Sequence, residues 1–151
     1  MSQQPAAHLQ RSVIHLLRRV DQCATQLYST ETADNDLTLR QLAILTAISR
    51  QDNLSQTDLV TITGIDRSTV AGIVSRLIRK GLLERKRSPL DGRAYCVRLS
   101  KRGTKATSGA DRLYTRVEKK LLAGVPAAEA SQFVSTLRTI LSAHDESTAS
   151  A

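Results

Sequence analysis

The sequence has few aromatic residues and no long apolar run, and each shortage excludes a class of protein. Its 151 residues include no tryptophan, one phenylalanine and three tyrosines. This scarcity disfavours a protein that binds single-stranded nucleic acid, because such proteins stack bases on aromatic side chains. No apolar stretch approaches the roughly 20 residues that span a bilayer. We therefore expect no membrane-spanning segment.

Cysteine and the common catalytic motifs are scarce as well. The two cysteines, Cys23 and Cys96, are too few and too far apart for a disulfide framework. The first ten residues lack a basic segment followed by an apolar one, so we expect no signal peptide and a cytoplasmic protein with reduced thiols. Three histidines lie apart from any serine, aspartate or cysteine arrangement, and CxxC, HExxH and glycine-rich phosphate loops are missing. We expect no enzyme, no metal and no cofactor.

Positive charge is abundant and concentrated in one stretch. The segment from Arg67 to Lys105 contains 12 Lys or Arg and two acidic residues, which gives a net charge of +10 in 39 residues. Since the whole chain carries +8, the remainder carries −2. Positive charge focused in this way favours an anionic partner, first a nucleic acid and second an acidic membrane surface.

Helix-capping residues divide this central region into short helices. Capping boxes at Thr38 (T-L-R-Q) and Ser55 (S-Q-T-D) each predict the start of a helix. Gly64 supplies a sharp turn, Asp66 caps the next helix, and Gly81 ends it. Two short helices joined by a glycine turn are typical of a helix-turn-helix, in which the second helix contacts DNA.

A basic hairpin follows the second of these helices. Alternation of residue type predicts strands at 82–87 and 94–99, with Tyr95, Val97 and Leu99 on one face. The connecting S-P-L-D-G-R has the residues of a turn. A hairpin in this position is a wing, so the central region predicts a winged helix-turn-helix.

The two ends of the chain predict long helices with wide apolar stripes. Segments 8–29 and 101–144 carry apolar residues at steps of three and four, the first followed by a polar loop over 29–36. The second is interrupted by Gly124, resumes at Pro126 and trails off after His144. Such stripes need a partner, which favours a homodimer. We predict a mainly α single domain over 1–151, with a winged lobe at 37–99, a small β-wing and terminal dimerisation helices.

The predicted DNA-binding residues lie on the recognition helix and the wing. The first half of a recognition helix faces base edges in the major groove, and later basic residues meet phosphates. Asp91 either makes the wing turn or also holds Arg93 or Arg85 through a charge-assisted bond, and Arg93 suits a minor groove. The set comprises Arg67, Ser68, Thr69, Gly72 and Ser75 for bases, Arg76, Arg79, Arg85, Lys86 and Arg87 for phosphates, and Asp91 with Arg93 in the wing.

Several segments together resemble the MarR family of bacterial transcription regulators. They are L-T-L-R-Q-L-A-I-L, L-S-Q-T-D-L, G-I-D-R-S-T-V, R-L-I-R-K-G-L-L-E-R, D-G-R-A-Y and L-S-K-R-G. The resemblance spans nearly the whole chain. It implies an obligate homodimer whose first and last two helices interlock, and two winged lobes that bind a pseudo-palindromic double-stranded DNA. It also implies a small-molecule or redox signal that loosens DNA binding.

The sequence identifies the residues that would receive this signal less clearly than it identifies the DNA-binding residues. His15 and Arg19 lie one turn apart on the first helix and could bind the carboxylate of an aromatic acid, or form surface or dimer salt bridges. Cys23 shares that helix but lies on its apolar stripe, which favours a buried small hydrophobe over a sensor. Cys96, beside the cations at 85–87, is a second redox candidate if it is exposed.

The sequence therefore predicts a DNA-binding transcriptional regulator, most simply a repressor that an aromatic acid-like ligand releases from its operator. One alternative is a redox-sensing repressor that acts through Cys23 or Cys96. The other is a winged-helix module that binds proteins rather than specific DNA. The basic recognition helix disfavours this last alternative, because protein-binding winged helices tend to have an acidic or apolar outer face.

Overall fold

A computed structural model describes residues 8–32 and 36–149, with side chains described as far as 145. The described chain is mainly helical, with one antiparallel two-stranded sheet. In chain order its elements are α1 Val13–Glu31, α2 Leu39–Arg50, α3 Gln56–Thr63, α4 Arg67–Arg79, β1 Leu83–Arg87, β2 Tyr95–Leu99, α5 Lys101–Thr107, α6 Ala110–Leu121 and α7 Ala127–Ala149. Residues 33–35 of the predicted loop lie outside the described residues.

Both predicted capping boxes are confirmed. The Gln41 amide donates to the Thr38 hydroxyl at 3.2 Å, while the Gln41 side chain accepts from the Thr38 amide at 3.0 Å. Ser55 and Asp58 make the same reciprocal pair at the start of α3. Each box satisfies amides that have no partner within the helix. It thereby fixes the residue at which the helix begins.

The turn between α3 and α4 also follows the prediction. Gly64 has φ of 66°, in the left-handed region that glycine adopts at little cost, and its amide donates to Val60 at 2.9 Å. Asp66 then caps α4. Because the turn is this tight, α4 leaves the end of α3 at a fixed angle and lies across the lobe.

The core of the winged lobe forms where α2, α3, α4 and the hairpin meet. Leu45, Leu59 and Leu77 are fully buried there, and each such side chain contributes on the order of 2 kcal/mol. Leu54 adds a contact that the sequence did not predict. It forms an isolated bridge to β2, in which the Val97 amide donates to the Leu54 carbonyl at 3.0 Å. The base of the wing is thus bonded to the segment between α2 and α3.

A second apolar cluster joins α1 and α6 to the lobe. Tyr28, Leu42 and Leu113 are among its buried members, and the Tyr28 hydroxyl donates to the Leu37 carbonyl at 3.0 Å. Glu31, at the end of α1, pairs with Arg116 and Lys120 on α6. This cluster connects the terminal helices to α2, on which the lobe is built.

The terminal helices differ from the prediction in their bounds. α1 begins at Val13, where the Ser12 hydroxyl accepts from the His15 amide. Segment 101–121 is two helices, because a turn at Ser108 and Gly109 separates α5 from α6. α7 continues beyond His144 to Ala149, since no glycine or proline follows Pro126 to end it.

The apolar stripes of α1 and α7 are largely uncovered in the single chain. On α1, Val13 is 64% exposed and Ile14 82% exposed; on α7, Leu141 is 63% exposed. Large apolar side chains exposed along two helices mark a surface that binds another surface. In the lobe, by contrast, Leu45 and Ile48 of α2 and Val70 and Leu77 of α4 are buried.

Candidate DNA-binding site

The recognition helix α4 buries one face and presents the other to solvent. Val70, Ile73, Val74 and Leu77 are buried. At 100° per residue, the line directly opposite this face runs through Ser68, Gly72, Ser75 and Arg79. Arg67, Arg76 and Thr69 lie to either side. Of the predicted base-contacting residues, Ser68, Gly72 and Ser75 therefore lie on the outer face and Thr69 lies at its edge. Arg67, about 110° from the outward direction, lies on the flank of the helix nearer the core.

Asp66 organises the first turn of this helix. Its Oδ1 accepts from the Thr69 amide at 2.9 Å and from the Ser68 hydroxyl at 2.7 Å. Hydrogen bonds from Thr69, with that from Ser68, lower the pKa of the Asp66 carboxyl to about 2. The carboxylate is therefore ionised at neutral pH, and the first turn of the recognition helix is held rigidly by it.

Neither the backbone conformation of Gly72 nor its packing within the described residues requires glycine at this position. Its backbone is helical, and an added Cβ would meet only the Arg76 Nη2 atom at 4.0 Å. A glycine inside a helix costs about 1 kcal/mol relative to alanine. The chain accepts this cost on the outer line of α4, where a smooth surface allows another molecule to approach closely.

The wing loop is closed by hydrogen bonds from its own residues. Asp91 Oδ1 accepts from the Arg93 amide at 2.9 Å, and the Arg87 guanidinium donates to the Gly92 carbonyl at 3.0 Å. Ser88 Oγ accepts from the amide of Leu90 at 3.2 Å. Asp91 thus holds Arg93 through the backbone amide of that residue, and among the described residues its carboxylate makes no ion pair with the side chain of Arg93 or Arg85. The Arg93 side chain stays exposed.

The strands of the wing carry their cations on an exposed surface. Arg85 and Lys86 are exposed on β1, as predicted for phosphate contacts. Glu84, the one acidic residue of that strand, pairs with Arg98 on β2 at 2.8 Å. Because Glu84 is neutralised within the sheet, the surface that remains is positive.

Lys80 and Arg102 make contacts between segments of the chain at its surface, and sequence reasoning missed this role. Lys80 Nζ donates to Asp36 Oδ2 at 2.7 Å, while Arg102 donates to the Lys80 carbonyl at 3.0 Å. Ser100 Oγ donates to the Gly81 carbonyl at 2.6 Å. These bonds fix the end of α4 against the segment before α2 and against α5. No local pattern reveals them, because the partners are 19 to 44 residues apart.

The cysteines are placed opposite to expectation. Cys96 is 2% exposed, with its Sγ 3.6 Å from the Lys86 carbonyl and 3.8 Å from Asn53. Tyr95, predicted to lie on the same face as Val97, is 57% exposed, whereas Val97 is buried. The strict alternation is wrong because the segment around Asn53 covers the Cys96 side of the hairpin. Cys23 is exposed in the single chain, since nothing there covers the stripe of α1.

Four cavities of 320 to 610 Å³ open between the helices. One of about 430 Å³ lies between Asp21 of α1, Arg40 of α2 and the turn from Thr63 to Asp66. The largest, about 610 Å³, lies between the end of α1 and the start of α6. His15, Arg19 and Cys23 line none of these four. His15 is partly buried and Arg19 is exposed, and their predicted ligand role stays a prediction.

Neither a metal site nor a membrane segment is evident over residues 8–32 and 36–149. No group of three or more histidine, cysteine or acidic side chains in this part could hold a metal ion. None of the helices described is both long enough and apolar enough to cross a membrane.

Together, the tight turn, the basic outer face of α4 and the adjoining hairpin define a winged helix-turn-helix transcription regulator that binds DNA. The comparisons with known proteins agree with this class. A protein-family model described as MarR family matches residues 35–94. The chain belongs to the MarR family.

Three similar proteins illustrate the relationship. BpsR of Bordetella bronchiseptica, whose DNA binding is regulated by 6-hydroxynicotinic acid, is 30% identical with a TM-score of 0.80, covering 86% of this chain and 93% of that one. PcaV of Streptomyces coelicolor, solved with its natural ligand, is 33% identical with a TM-score of 0.80, covering 90% and 96%. The transcriptional repressor NicR of Pseudomonas putida is 34% identical over 89 residues, which are 59% of this chain and 56% of NicR.

Proposed function

We propose that this protein is a homodimeric repressor that binds a pseudo-palindromic operator and is released by an aromatic acid-like ligand. The observation that carries this proposal is the set of exposed cations on α4 and on the adjoining wing. A second lobe related by a two-fold axis would present the same surface one helical turn further along the DNA.

The uncovered faces of α1 and α7 support the dimer. They expose apolar side chains at both ends of the chain, including Ile14 and Leu141. Burying them against a second copy removes apolar surface from water, which is the main driving force of obligate association. We therefore expect dimers at micromolar concentration, and we expect Leu141→Lys to shift the sedimentation coefficient towards that of the monomer.

The ligand is proposed from similar proteins and from the cavities. BpsR responds to 6-hydroxynicotinic acid, and the cavity beside Arg40 reaches the turn that leads into α4. A carboxylate bound there would act on the position of the recognition helix. The α1 pair His15 and Arg19 is the competing site, since a cation and an imidazole one turn apart also suit a carboxylate.

Sequence selection from random duplex DNA tests the DNA-binding part of the proposal. We expect enrichment of an inverted repeat, whereas failure to enrich any sequence would contradict a specific regulator. Release by ligand is then measured as loss of fluorescence anisotropy on the enriched duplex while aromatic acids are titrated. Arg40→Ala and Arg19→Ala distinguish the two sites, because only the variant at the true site should need more ligand for the same release.

A redox signal through Cys23 is a second candidate. This thiol is exposed in the single chain, but it lies on the α1 stripe that the proposed dimer covers, so its oxidation would have to act at the dimer interface. Cys96 is less suited, because this residue of strand β2 has a buried side chain. If Cys23 is the sensor, diamide or peroxide should release wild-type protein from DNA but leave Cys23→Ser bound. Equal responses of the two proteins would exclude this mechanism.

A further inference from the structure

Ser68 lies at the point of the recognition helix that faces most directly away from the core. It is the second residue of α4, and its side chain is exposed. In a helix-turn-helix protein, residues in this position meet base edges in the major groove. What Ser68 contributes there depends on whether its hydroxyl is free to donate a hydrogen bond, to accept one, or both.

The hydroxyl proton of Ser68 already takes part in a hydrogen bond within the chain. Ser68 Oγ lies 2.7 Å from Asp66 Oδ1, and one of the two atoms must donate. The low pKa of Asp66 leaves its carboxylate without a proton at neutral pH, so the serine is the donor. The same carboxylate oxygen accepts the Thr69 amide, and these two bonds hold it in place at the start of the helix.

The lone pairs of Ser68 Oγ remain open. Over the residues that the structure describes, no donor points to this oxygen. Ser55 shows the contrasting case, because its hydroxyl donates to Asp58 Oδ2 at 2.7 Å and also accepts the Asp58 amide at 3.1 Å. The Ser55 hydroxyl thus both donates and accepts within the chain. The Ser68 hydroxyl only donates there, so its oxygen can still accept a hydrogen bond from another molecule.

We propose that Ser68 is a hydrogen-bond acceptor towards DNA and selects bases that carry an exocyclic amine in the major groove. Adenine N6 and cytosine N4 are the donors available there, whereas guanine O6 and N7 and thymine O4 are acceptors. Phosphate oxygens are also acceptors, and the neighbouring carboxylate repels them, so Ser68 makes no phosphate contact. This inference rests on the proposed binding to a specific operator.

Ser75 provides a matched control on the same helix. It lies on the same outer line two turns further on, is exposed, and makes no side-chain hydrogen bond within the described part of the chain. Its hydroxyl is therefore free both to donate and to accept, and it imposes no need for an amine. Ser68→Thr is the conservative variant, since it retains a hydroxyl that can donate to Asp66.

The experiment uses the operator selected by the full-length wild-type protein and duplexes in which single bases lack the exocyclic amine. Purine replaces adenine, and 2-pyrimidinone replaces cytosine. At one pair in each half-site, we expect removal of the amine to weaken wild-type binding about tenfold. Ser68→Ala should bind the natural operator about tenfold more weakly and lose nothing further with the analogue. Ser68→Thr should restore sensitivity to the analogue, and Ser75→Ala should remain as sensitive as the wild type.

Three results would overturn the proposal. These are an equal loss by Ser68→Ala on operator and random DNA, a sensitivity to the analogue that Ser68→Ala keeps in full, or an unchanged operator affinity of Ser68→Ala. Thermal unfolding of each variant, measured alongside, shows whether the fold is intact. Failure of the proposed function itself gives a different result, because wild-type protein would then select no sequence at all.

Discussion

Gly72 offers a test in which fold stability and DNA binding should change in opposite directions. Replacement by alanine removes the conformational cost of glycine in a helix, about 1 kcal/mol. The new Cβ meets only Arg76 Nη2, at 4.0 Å, which is ordinary contact. Nothing in the chain therefore opposes the gain, and for a protein of this size it corresponds to a rise of about 2–4 °C in the melting temperature.

On DNA the same methyl group should be harmful. It would project from the centre of the outer line of α4, where the helix has to lie against base edges. Overpacking at a close contact costs on the order of 1–3 kcal/mol, so we expect the operator affinity of Gly72→Ala to fall by about 5- to 150-fold. Binding to random DNA should change less, because phosphate contacts do not require the helix to enter as deeply.

Calorimetric unfolding and fluorescence anisotropy on operator and random duplexes would measure both effects in one preparation. A melting temperature below that of the wild type would refute the helix-propensity argument. An operator affinity equal to that of the wild type would refute the argument that Gly72 permits close approach. Loss on both duplexes by the same factor would show that the methyl group disturbs the lobe rather than the groove contact.

Three further predictions follow from the structure. Gly103→Ala should lower the melting temperature, although it too replaces a helical glycine, because its Cβ would lie 2.1 Å from the backbone oxygen of Leu82. Arg67→Ala should reduce sequence preference, whereas Lys86→Ala should weaken all duplexes alike and reduce the salt slope by about one; equal losses on all DNA for both variants would contradict these roles. Because the pKa of Asp66 is lowered to about 2 in the fold, its ionised form stabilises the protein above its unfolded pKa. The stability advantage of wild type over Asp66→Asn should therefore disappear as urea unfolding is measured from pH 5 down to pH 2.

The elements of the lobe were predictable because their signals are local. A capping box spans four residues, and a serine or threonine followed by a suitable partner three positions later satisfies helix amides in any surroundings. Thr38 and Ser55 begin their helices in this way. Gly64 is decided by the turn itself, since its φ of 66° suits glycine. The outer face of α4 follows from helix periodicity once Asp66 sets the start.

Sequence-based prediction failed where the burial of a residue depends on segments that are distant in the sequence. Strand alternation left the exposure of Cys96 open, and the segment around Asn53 covers this residue. A helical glycine ordinarily weakens a helix, but Gly103 lets α5 lie directly against the carbonyl of Leu82. Cys23 lies on a predicted apolar stripe, but the single chain does not cover that stripe.

The sequence by itself therefore determined the class of fold, the position of the recognition helix and the sign of its charge, because capping, turn geometry and side-chain periodicity act over a few residues. Only the tertiary structure decided which cations already have partners within the chain. Lys80 is held by Asp36, Arg87 by the wing carbonyl of Gly92, and Arg98 by Glu84. It also revealed that Ser68 is the central outward residue and that its proton is already used. Hydrogen-bond partners depend on positions in space, and neighbouring letters in a sequence do not specify them.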